Sequence, residues 1–573
     1  MTEIFFFSSH EVTFLSTKSS ITELIGGKIG EVTEEISSVF NRTIGLWGVV
    51  VISLSSMLGS GLFVMPAFAA EIMGPGIWLA FLLAATVVLP GALSKSELAS
   101  AMPSSGGSYV YLERTYGPLF GTISGLGLWA SFLLKASFAL IGFSAYMYAL
   151  TTYFEIDINI QLVSISALVL ITVVNILGLK KVKAIQTPIL SITLGLLAII
   201  CIWALFDPST DLSRPLSNSA KTGAFDQSLS SIAETAAFVF VAYAGVTKVA
   251  AIGGEVKEPG RNLPRGIMLS LLIATVLYCV VTYIMMAAMP EGWYLNEGKP
   301  IEDPVYRFVD AIAGSKIGLL AAALAVLTMI SMALAGILAA SRFLFAMARD
   351  NLLPQSLETV NAKYETPHWP IIVTGAVMLL AILYLPVKDV AKLASGFKIM
   401  VFMLINSCVI VLRRSPEAKE WYKPKYNSHF YPWIQVWGIL AGFVLIYLMG
   451  SKAFIGAGAA VGLGCLTYVS YGRHHSQVRT TPFKSLREHF ANPTKQQHDL
   501  RHAAFKAADF GKKNHLTLPE FINALEALGV AFTNDEFREI FHSADEDENG
   551  VIDIDEFLIT VETIDETFVS EDE

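Results

Sequence analysis

Two short runs of small residues interrupt apolar stretches that otherwise predict membrane-crossing helices. Residues 59–61 (Gly-Ser-Gly) lie inside the first stretch, and residues 242–245 (Ala-Tyr-Ala-Gly) lie inside the sixth. A helix that is broken inside a membrane leaves N–H groups free at the start of its second half and carbonyls free at the end of its first half. The N–H groups attract an anion and the carbonyls attract a cation, so the paired breaks suit a zwitterion such as an amino acid.

Backbone groups at these breaks are the predicted substrate ligands. We expect the N–H groups of Gly59, Ser60 and Gly61 to bind a carboxylate, with the Ser60 hydroxyl as a further donor. The carbonyls expected to bind an ammonium group are those of Met57, Val241 and Ala244. Glycines in membrane helices often serve only close packing. Two breaks that lie five spans apart instead indicate a transporter built from inverted repeats, each beginning with a broken helix.

Four ionisable residues fall inside predicted spans, where a charge is costly and needs a reason. They are Lys135 in span 3, Glu234 and Lys248 in span 6, and Lys398 in span 10. Each is a candidate for coupling proton movement to substrate movement, and Lys248 lies nearest the second break. A structural ion pair or snorkelling explains such lysines equally well. Sodium coupling stays open, because Thr328 and Ser331 in span 8 can ligate Na⁺.

A different chemistry lies near the C-terminus, in residues 545–556 (DEDENGVIDIDE). Oxygen-bearing residues occupy loop positions 1, 3, 5, 9 and 12, and glycine occupies position 6. This spacing is typical of an EF-hand calcium-binding loop, in which the closing glutamate binds through both oxygens. The predicted ligands of one Ca²⁺ are Asp545, Asp547, Asn549, the carbonyl of Val551, Asp553 and Glu556.

A second, degenerate loop lies at residues 509–520. It keeps its first and last acids, but Gly511 stands at position 3 and Lys513 at position 5. A lysine at a ligand position repels a dication, so we expect this loop to bind no metal. Asn514 at position 6 can still adopt the left-handed turn, and the loop can persist as a structural partner. The residues expected to form the shared core, or an exposed groove when calcium opens the pair, are Phe505, Phe521, Phe537, Phe541 and Phe557.

The amino-acid composition indicates the class of protein that carries the two breaks. Of the 573 residues, 53% are apolar and only 16% are charged, and the net charge is −9. The mean hydropathy of +0.55 is that of an integral membrane protein. Residues 472–573 hold 10 Lys and Arg against 21 Asp and Glu, so the C-terminal tail is acidic. We therefore expect no nucleic-acid partner.

The sequence predicts twelve membrane-crossing helices with cytoplasmic termini, because Lys and Arg concentrate in the connections on the side of the termini. The spans are residues 44–70, 77–94, 119–150, 160–179, 187–206, 231–253, 266–289, 315–347, 369–385, 389–412, 433–449 and 454–471. The predicted domains are a cytoplasmic N-terminal segment with an amphipathic helix (1–43, with the helix at 21–40), the transporter domain (44–471), a linker (472–497) and a cytoplasmic EF-hand domain (498–573). A plain lead-in helix explains the pattern at 21–40 equally well. The location that follows is the cell membrane.

Four segments, in order, resemble the amino acid-polyamine-organocation (APC) superfamily of permeases. LGSGLF at residues 58–63, followed by Pro66, is similar to the signature of its first span. SELASAMPSSGGSYVYLERTYGP at 96–118 is similar to its segment after span 2. FVAYAGVTKVAAIGGEVKEPGRNLPRGI at 240–267 resembles its sixth span and following loop, and SRFLFAMARDNLLP at 341–354 resembles the end of span 8.

The resemblance implies an all-α membrane protein with a ten-helix core of two inverted five-helix repeats, broken helices 1 and 6, and two extra helices. It also implies movement of amino acids or related amines by symport or antiport. Many members carry an aromatic gate where this chain has Val241, and Phe240 and Tyr243 are nearby candidates to replace it. Gly245 completes the second break. Proton-coupled relatives carry a span 5 lysine where this chain has Thr193.

Three functions compete, and two of them are of the transporter class. The leading prediction is an amino acid transporter with a calcium-binding tail and the lipid bilayer as its medium. A polyamine or organic cation transporter requires acidic residues at the pocket, where Glu234 is the candidate. A non-transporting calcium-responsive sensor conflicts with two intact glycine breaks. No nucleophile with a base, phosphate-binding loop or catalytic metal cluster indicates an enzyme.

Overall fold

The computed structural model describes residue 42 and residues 44–561, apart from 104–106, 157–158, 179–181, 217–228, 247, 362, 365, 417, 476–480, 492, 510, 512, 529–533, 546 and 548. The predicted amphipathic helix at 21–40 therefore lies outside the described residues. The chain divides into two compact units, Met1–Pro482 and Phe483–Glu573.

The first unit is helical. Its α-helices are α1 (Leu46–Met57), α2 (Ser60–Phe63), α3 (Met65–Met73), α4 (Ile77–Ala101), α5 (Ser108–Tyr116), α6 (Pro118–Tyr153), α7 (Ile160–Ile176), α8 (Val182–Phe206), α9 (Leu229–Val239), α10 (Pro259–Ala288), α11 (Pro304–Ala313), α12 (Ser315–Arg349), α13 (His368–Tyr384), α14 (Val387–Arg414), α15 (Ala418–Trp421), α16 (Trp433–Leu448), α17 (Ser451–Thr467) and α18 (Arg473–His475). Two 3₁₀ helices, Phe240–Gly245 and Lys248–Glu255, follow α9. A two-residue hairpin, β1 (Leu295–Asn296) with β2 (Lys299–Pro300), precedes α11.

Eight segments of the described chain are long and apolar enough to cross a membrane. Four shorter apolar helices, α1, α7, α13 and α16, lie at further positions where the sequence predicts a span. The outer faces of these helices expose large apolar side chains, including Leu170, Phe206, Leu272 and Phe443. Such faces are stable against lipid and not against water. The chain is therefore a multi-pass membrane protein, while the count of twelve spans stays a prediction.

The long helices begin where glycine allows a sharp change of direction. Gly117 and Gly314 have φ values of +92° and +78° and stand directly before α6 and α12. These left-handed conformations are accessible to glycine at little cost. Pro118, at the first position of α6, adds a fixed φ that suits a helix start.

A buried carboxylate ties α4 to the chain after α14. Glu97 is fully buried, and its oxygens accept the Nε and Nη2 of Arg413 at 2.8 and 2.7 Å. The hydroxyl of Tyr422 and the N–H of Ser428 donate to the same carboxylate at 2.9 and 2.7 Å. A buried charge with this many donors is compensated where it lies. Glu97 therefore holds α4, α14 and the following loop in one arrangement.

The second unit contains two helix–loop–helix segments. Its elements are α19 (Pro482–Ala491), which starts at the last residue of the first unit, α20 (Pro493–Ala508), β3 (His515–Leu516), α21 (Leu518–Ala527), α22 (Asn534–Ala544) and β4 (Ile552–Asp553). β3 and β4 pair antiparallel, with Leu516 opposite Ile552. The five phenylalanines predicted to form the shared core are all buried in one cluster, which confirms that expectation.

Candidate functional site

The first break lies between α1 and α2. Gly59 donates its N–H back to the carbonyl of Met57 at 2.9 Å, so this predicted anion donor is already used in this conformation. Ser60 and Gly61 are the first two residues of α2, and N–H groups at a helix start have no carbonyl of their own helix to donate to. Both residues are buried. Two N–H groups at a buried helix start therefore remain as donors for an anion.

The second break is longer than the sequence suggests. α9 ends at Val239, and the chain then winds through the fully buried 3₁₀ helix Phe240–Gly245. The N–H of Val241 leaves the helical pattern and donates to the hydroxyl of Ser395 on α14 at 3.2 Å. That hydroxyl donates in turn to the carbonyl of Phe238 at 3.0 Å. Ser395 thus replaces one helical hydrogen bond at the point where α9 stops.

The two breaks touch each other through glycine. A Cβ at Gly61 would lie 2.7 Å from the Cβ of Ala242 in the second break. A Cβ at Gly245 would overlap the backbone carbonyl of Ser56 in the first. Neither contact leaves room for a side chain. The close-packing interpretation of these glycines and the broken-helix interpretation therefore both hold at the same residues.

A lysine from a third helix joins the two breaks. Lys135, in the middle of α6, is 4% exposed. Its Nζ donates to the carbonyl of Ser56 at 2.9 Å and to the carbonyl of Ala242 at 3.3 Å. These carbonyls belong to the first and the second break. The side chain therefore supplies a positive charge where the breaks leave partial negative charge, and it holds both backbones together.

Tyr278 on α10 performs a similar task. Its hydroxyl lies 2.7 Å from the carbonyl of Met57 and 3.3 Å from that of Ala242. Met57 therefore accepts both the Gly59 N–H and the tyrosine hydroxyl, and its carbonyl is used before any substrate arrives. The carbonyls of Val241 and Ala244 are the remaining predicted ligands for an ammonium group.

The two candidate gate residues have different surroundings. The ring of Phe240 packs edge-on against Phe402 of α14, with 5.7 Å between centroids. Tyr243 donates its hydroxyl to the carbonyl of Phe81 on α4 at 3.1 Å and packs edge-on against Tyr278. Because Phe240 is held by apolar packing alone, it is the freer of the two side chains to move.

The other coupling candidates lie in distinct places. Lys248 is half-buried and donates to the carbonyl of Ala335 on α12 at 3.0 Å. Glu234 pairs with Lys392 at 3.3 Å. Lys398 is 1% exposed, and its Nζ lies over the rings of two phenylalanines. The hydroxyl of Thr328 donates to the carbonyl of Leu324 on its own helix.

Sequence reasoning missed Tyr278, Ser395 and Lys95. Lys95, near the end of α4, is 4% exposed, although its place after the apolar run suggested a polar boundary. Tyr278 and Ser395 lie in apolar spans without any local motif. The signal that was available for Lys95 is a charge about one helical turn after Gly91, a small residue that allows close packing.

The complete calcium loop has the geometry expected of a cation site. The carboxylate oxygens of Asp545, Asp547 and Glu556 lie within 4.8 Å of one another. Asp545 accepts the N–H groups of Asn549 and Gly550 at 3.0 and 2.8 Å. Gly550 has a φ of +81°, the left-handed turn required at position 6. These residues fit a calcium ion, since they place hard oxygen ligands around one point.

The degenerate loop has the same backbone arrangement, but a lysine ammonium lies where the complete loop would bind a metal ion. Asp509 accepts the N–H groups of Lys513 and Asn514, both at 2.9 Å, and Asn514 has a φ of +62°. The Nζ of Lys513 lies 3.3 Å from each oxygen of Glu520, the closing residue. The lysine ammonium thus binds the carboxylate that a calcium ion would otherwise bind. Desolvation raises the pKa of the Glu520 carboxyl, but hydrogen bonds from the N–H and hydroxyl of Thr517 and the charge and hydrogen bond of the Lys513 ammonium outweigh it, so the pKa lies below its ordinary value.

Comparison with known proteins connects both units to families. A family model described as amino acid permease matches residues 44–469, and one described as EF-hand domain pair matches residues 498–561. The branched-chain amino acid permease BcaP of Bacillus subtilis (strain 168) is 28% identical over 80% of this chain and 98% of its own length. A methylthioribose transporter of the same organism is 27% identical over 76% of this chain and 94% of its own length. The serine/threonine exchanger SteT of the same organism is 26% identical over 71% of this chain and 90% of its own length.

The glycine contact between the breaks can be tested by stability. We expect Gly245→Ala to lower the thermal unfolding midpoint of the purified protein, because the new methyl group overlaps the Ser56 carbonyl. Overpacking of this kind costs about 1–3 kcal/mol. Gly458→Ala is the matched control, since a Cβ at Gly458 in α17 meets nothing within 4 Å. Equal midpoints for the two variants would show that the breaks do not touch there.

Proposed function

The chain belongs to the amino acid permease family, and from this membership we propose that it carries amino acids across the cell membrane as a secondary transporter working by alternating access. The single observation that carries the proposal is the buried helix start at Ser60 and Gly61, whose N–H groups have no acceptor within their own helix, next to a second broken helix. We assign twelve spans in two inverted repeats plus two extra helices, with both termini cytoplasmic. The match to BcaP over nearly its whole length supports the same reaction class.

In the proposed complex the substrate carboxylate accepts the N–H groups of Ser60 and Gly61 and the hydroxyl of Ser60. The substrate ammonium donates to the carbonyls of Val241 and Ala244. Met57 contributes less than the sequence suggests, because two donors already occupy its carbonyl. Phe240 closes over the substrate. A polyamine substrate is less well supported, since Glu234 already pairs with Lys392.

The anion donors can be tested one at a time. Ser60→Pro removes the N–H at the first position of α2, where a helix accepts proline, and the preceding Gly59 tolerates the restriction that proline imposes. Because a hydrogen bond to a charged group is worth about 1.5–3 kcal/mol, we expect amino acid affinity to fall about 10- to 100-fold. The measurement is uptake of radiolabelled amino acids into proteoliposomes, screened together with amines and methylthioribose.

Ser60→Ala is the matched control, because it keeps the N–H and loses only the hydroxyl. We expect it to reduce affinity less than Ser60→Pro does. Unchanged affinity in a folded Ser60→Pro protein would remove the carboxylate site. Uptake of amines or of methylthioribose without any amino acid would remove the substrate assignment.

For coupling, we propose that the transporter uses protons and that Lys135 carries the coupling role in place of Lys248. The contacts support this choice, because Lys135 donates to carbonyls of both breaks whereas Lys248 donates to α12. Movement of one break against the other must disturb the Lys135 contacts. The groups around its ammonium are Lys398, Lys248 and the hydroxyl of Tyr278, and no carboxylate of the described chain faces it.

The coupling proposal predicts different pH profiles for two lysine variants. We expect Lys135→Met to flatten the pH dependence of uptake, because the substitution removes the ammonium group that contacts the carbonyls of both breaks. Lys248→Met should keep the wild-type profile, and Lys316→Met, at an exposed lysine, controls for loss of charge alone. A wild-type profile in Lys135→Met, at normal expression, would return the coupling role to another residue.

For the tail, we propose one calcium site per chain, formed by the 545–556 loop, with the 509–520 loop closed by Lys513. We expect equilibrium dialysis of the full chain with radioactive calcium to give one ion per chain, with a dissociation constant on the order of 10⁻⁷ to 10⁻⁵ M. Glu556→Gln should weaken this binding strongly, because it removes the bidentate ligand. Glu520→Gln, the matching change in the closed loop, should leave the stoichiometry at one.

Two ions per chain, or none, would contradict the proposed stoichiometry. Regulation is a separate question with its own experiment. We expect uptake to change with calcium at the cytoplasmic face in the wild type and to stay constant in Glu556→Gln. Equal rates in both proteins at all calcium concentrations would leave the tail without a role in transport.

A further inference from the structure

The described core of the first unit holds more positive than negative charge. Its buried ionisable side chains are Lys95, Lys135, Lys398 and Glu97, which are between 0% and 4% exposed. Glu97 is fully compensated by Arg413, Tyr422 and Ser428. Three buried lysines therefore stand without an acidic partner in the described structure. A charge at this depth requires a counter-charge or a strong set of acceptors.

Lys398 is the extreme case. Its Nζ lies 4.8 Å from the ring centre of Phe132 and 5.2 Å from that of Phe402. Within the described chain the ammonium finds no hydrogen-bond acceptor at all. Contact with an aromatic face supplies about 0.5–2 kcal/mol, whereas the desolvation of a buried ion costs several kcal/mol. The two rings do not compensate this charge.

Other lysines on the same helix show what compensation looks like. Lys388 and Lys392, in the first turns of α14, pair with Glu71 and Glu234 at 2.7 and 3.3 Å. Lys398 lies less than two turns further along and has no such partner among the described residues. Its three N–H donors point into a place that the protein itself leaves without an acceptor.

That place adjoins the two breaks. Phe402, one of the rings under the Lys398 ammonium, packs against Phe240 of the second break. Phe132, the other ring, lies one helical turn from Lys135 on α6, and Lys135 and Lys398 are close enough for their charges to repel. Lys135 spends two of its three donors on the carbonyls of the breaks. The electrostatic potential here is positive from two helices at once.

We propose that Lys398 binds a small monovalent anion beside the breaks, with Lys135 offering its third donor and Lys95 adding to the positive field. The anion is either a carboxylate on the side chain of the transported molecule or an inorganic ion such as chloride. This site is separate from the α-carboxylate site at Ser60 and Gly61. The inference therefore goes beyond amino acid transport, and the site exists whether or not that transport is measured.

Binding is tested first without transport. The full-length protein in lipid nanodiscs is heated in sodium chloride and in sodium gluconate at equal ionic strength. A bound ion stabilises only the folded state, so an inorganic site raises the unfolding midpoint in chloride. Lys398→Met should abolish that shift, Lys398→Arg should retain part of it, and Lys316→Met, an exposed control, should keep all of it.

The second arm tests a carboxylate from the transported molecule. Glutamate and leucine are compared as competitors of radiolabelled uptake in wild type and in Lys398→Met. If the substrate supplies the anion, glutamate competes in the wild type at least about tenfold better than in the variant, while leucine competes equally in both. Either positive arm supports the site and identifies its occupant.

The proposal is overturned if the wild type shows neither a chloride-dependent midpoint nor competition by glutamate. That result needs no variant, so poor folding of Lys398→Met does not protect the proposal. A chloride shift that persists in Lys398→Met also overturns it, since the ion then binds elsewhere. Failure of amino acid uptake with an intact, Lys398-dependent chloride shift removes the proposed function and leaves this site standing.

Discussion

The constraint on which the rest of the structure depends is that backbone polar groups inside a membrane need partners. Two helix breaks expose carbonyls and N–H groups where no water is available. Lys135 and Tyr278 reach from neighbouring helices to the carbonyls of Ser56, Met57 and Ala242. Gly61 and Gly245 allow the two breaks to approach closely enough for the same side chains to serve both. Without these contacts the broken helices would carry an uncompensated cost of about 1–3 kcal/mol for each buried group.

The groups that the protein leaves unsatisfied are as informative as those that it satisfies. The carbonyls of Ser56 and Met57 at the first break are occupied by protein donors, whereas the N–H groups of Ser60 and Gly61 begin a new helix, and we propose that they bind a ligand. The two loops of the C-terminal unit show the same contrast between a charge that the protein compensates and charges that it leaves for a ligand. In the degenerate loop Lys513 binds Glu520, and in the complete loop three carboxylates converge with no lysine nearby among the described residues. A lysine ammonium therefore takes the place of an external cation twice. Lys135 does so at the break carbonyls, and Lys513 does so in the degenerate loop.

Much of this site is predictable from sequence, and the limits have physical reasons. Both breaks follow from small residues inside apolar runs, and the calcium loop follows from its ligand spacing, because each is encoded within about a dozen neighbouring residues. Lys135 is recognisable as a costly charge, but its partners are not, since they lie 79 and 107 residues away. Tyr278 and Ser395 carry no local signal in apolar helices. The faces that meet are set by packing among many spans, and a single sequence does not state them.

The central claim, that paired breaks bind the two charges of one molecule, is tested most directly by an analogue series. Inhibition of uptake is measured with the best amino acid substrate, its amide, its N-acetyl derivative and the amine that lacks the carboxylate. Every modified analogue is expected to lose at least about tenfold in affinity, because each leaves one set of buried backbone groups without its charged partner. Equal inhibition by the amine and the amino acid would contradict it, since the Ser60 and Gly61 N–H groups would then bind nothing that matters to recognition.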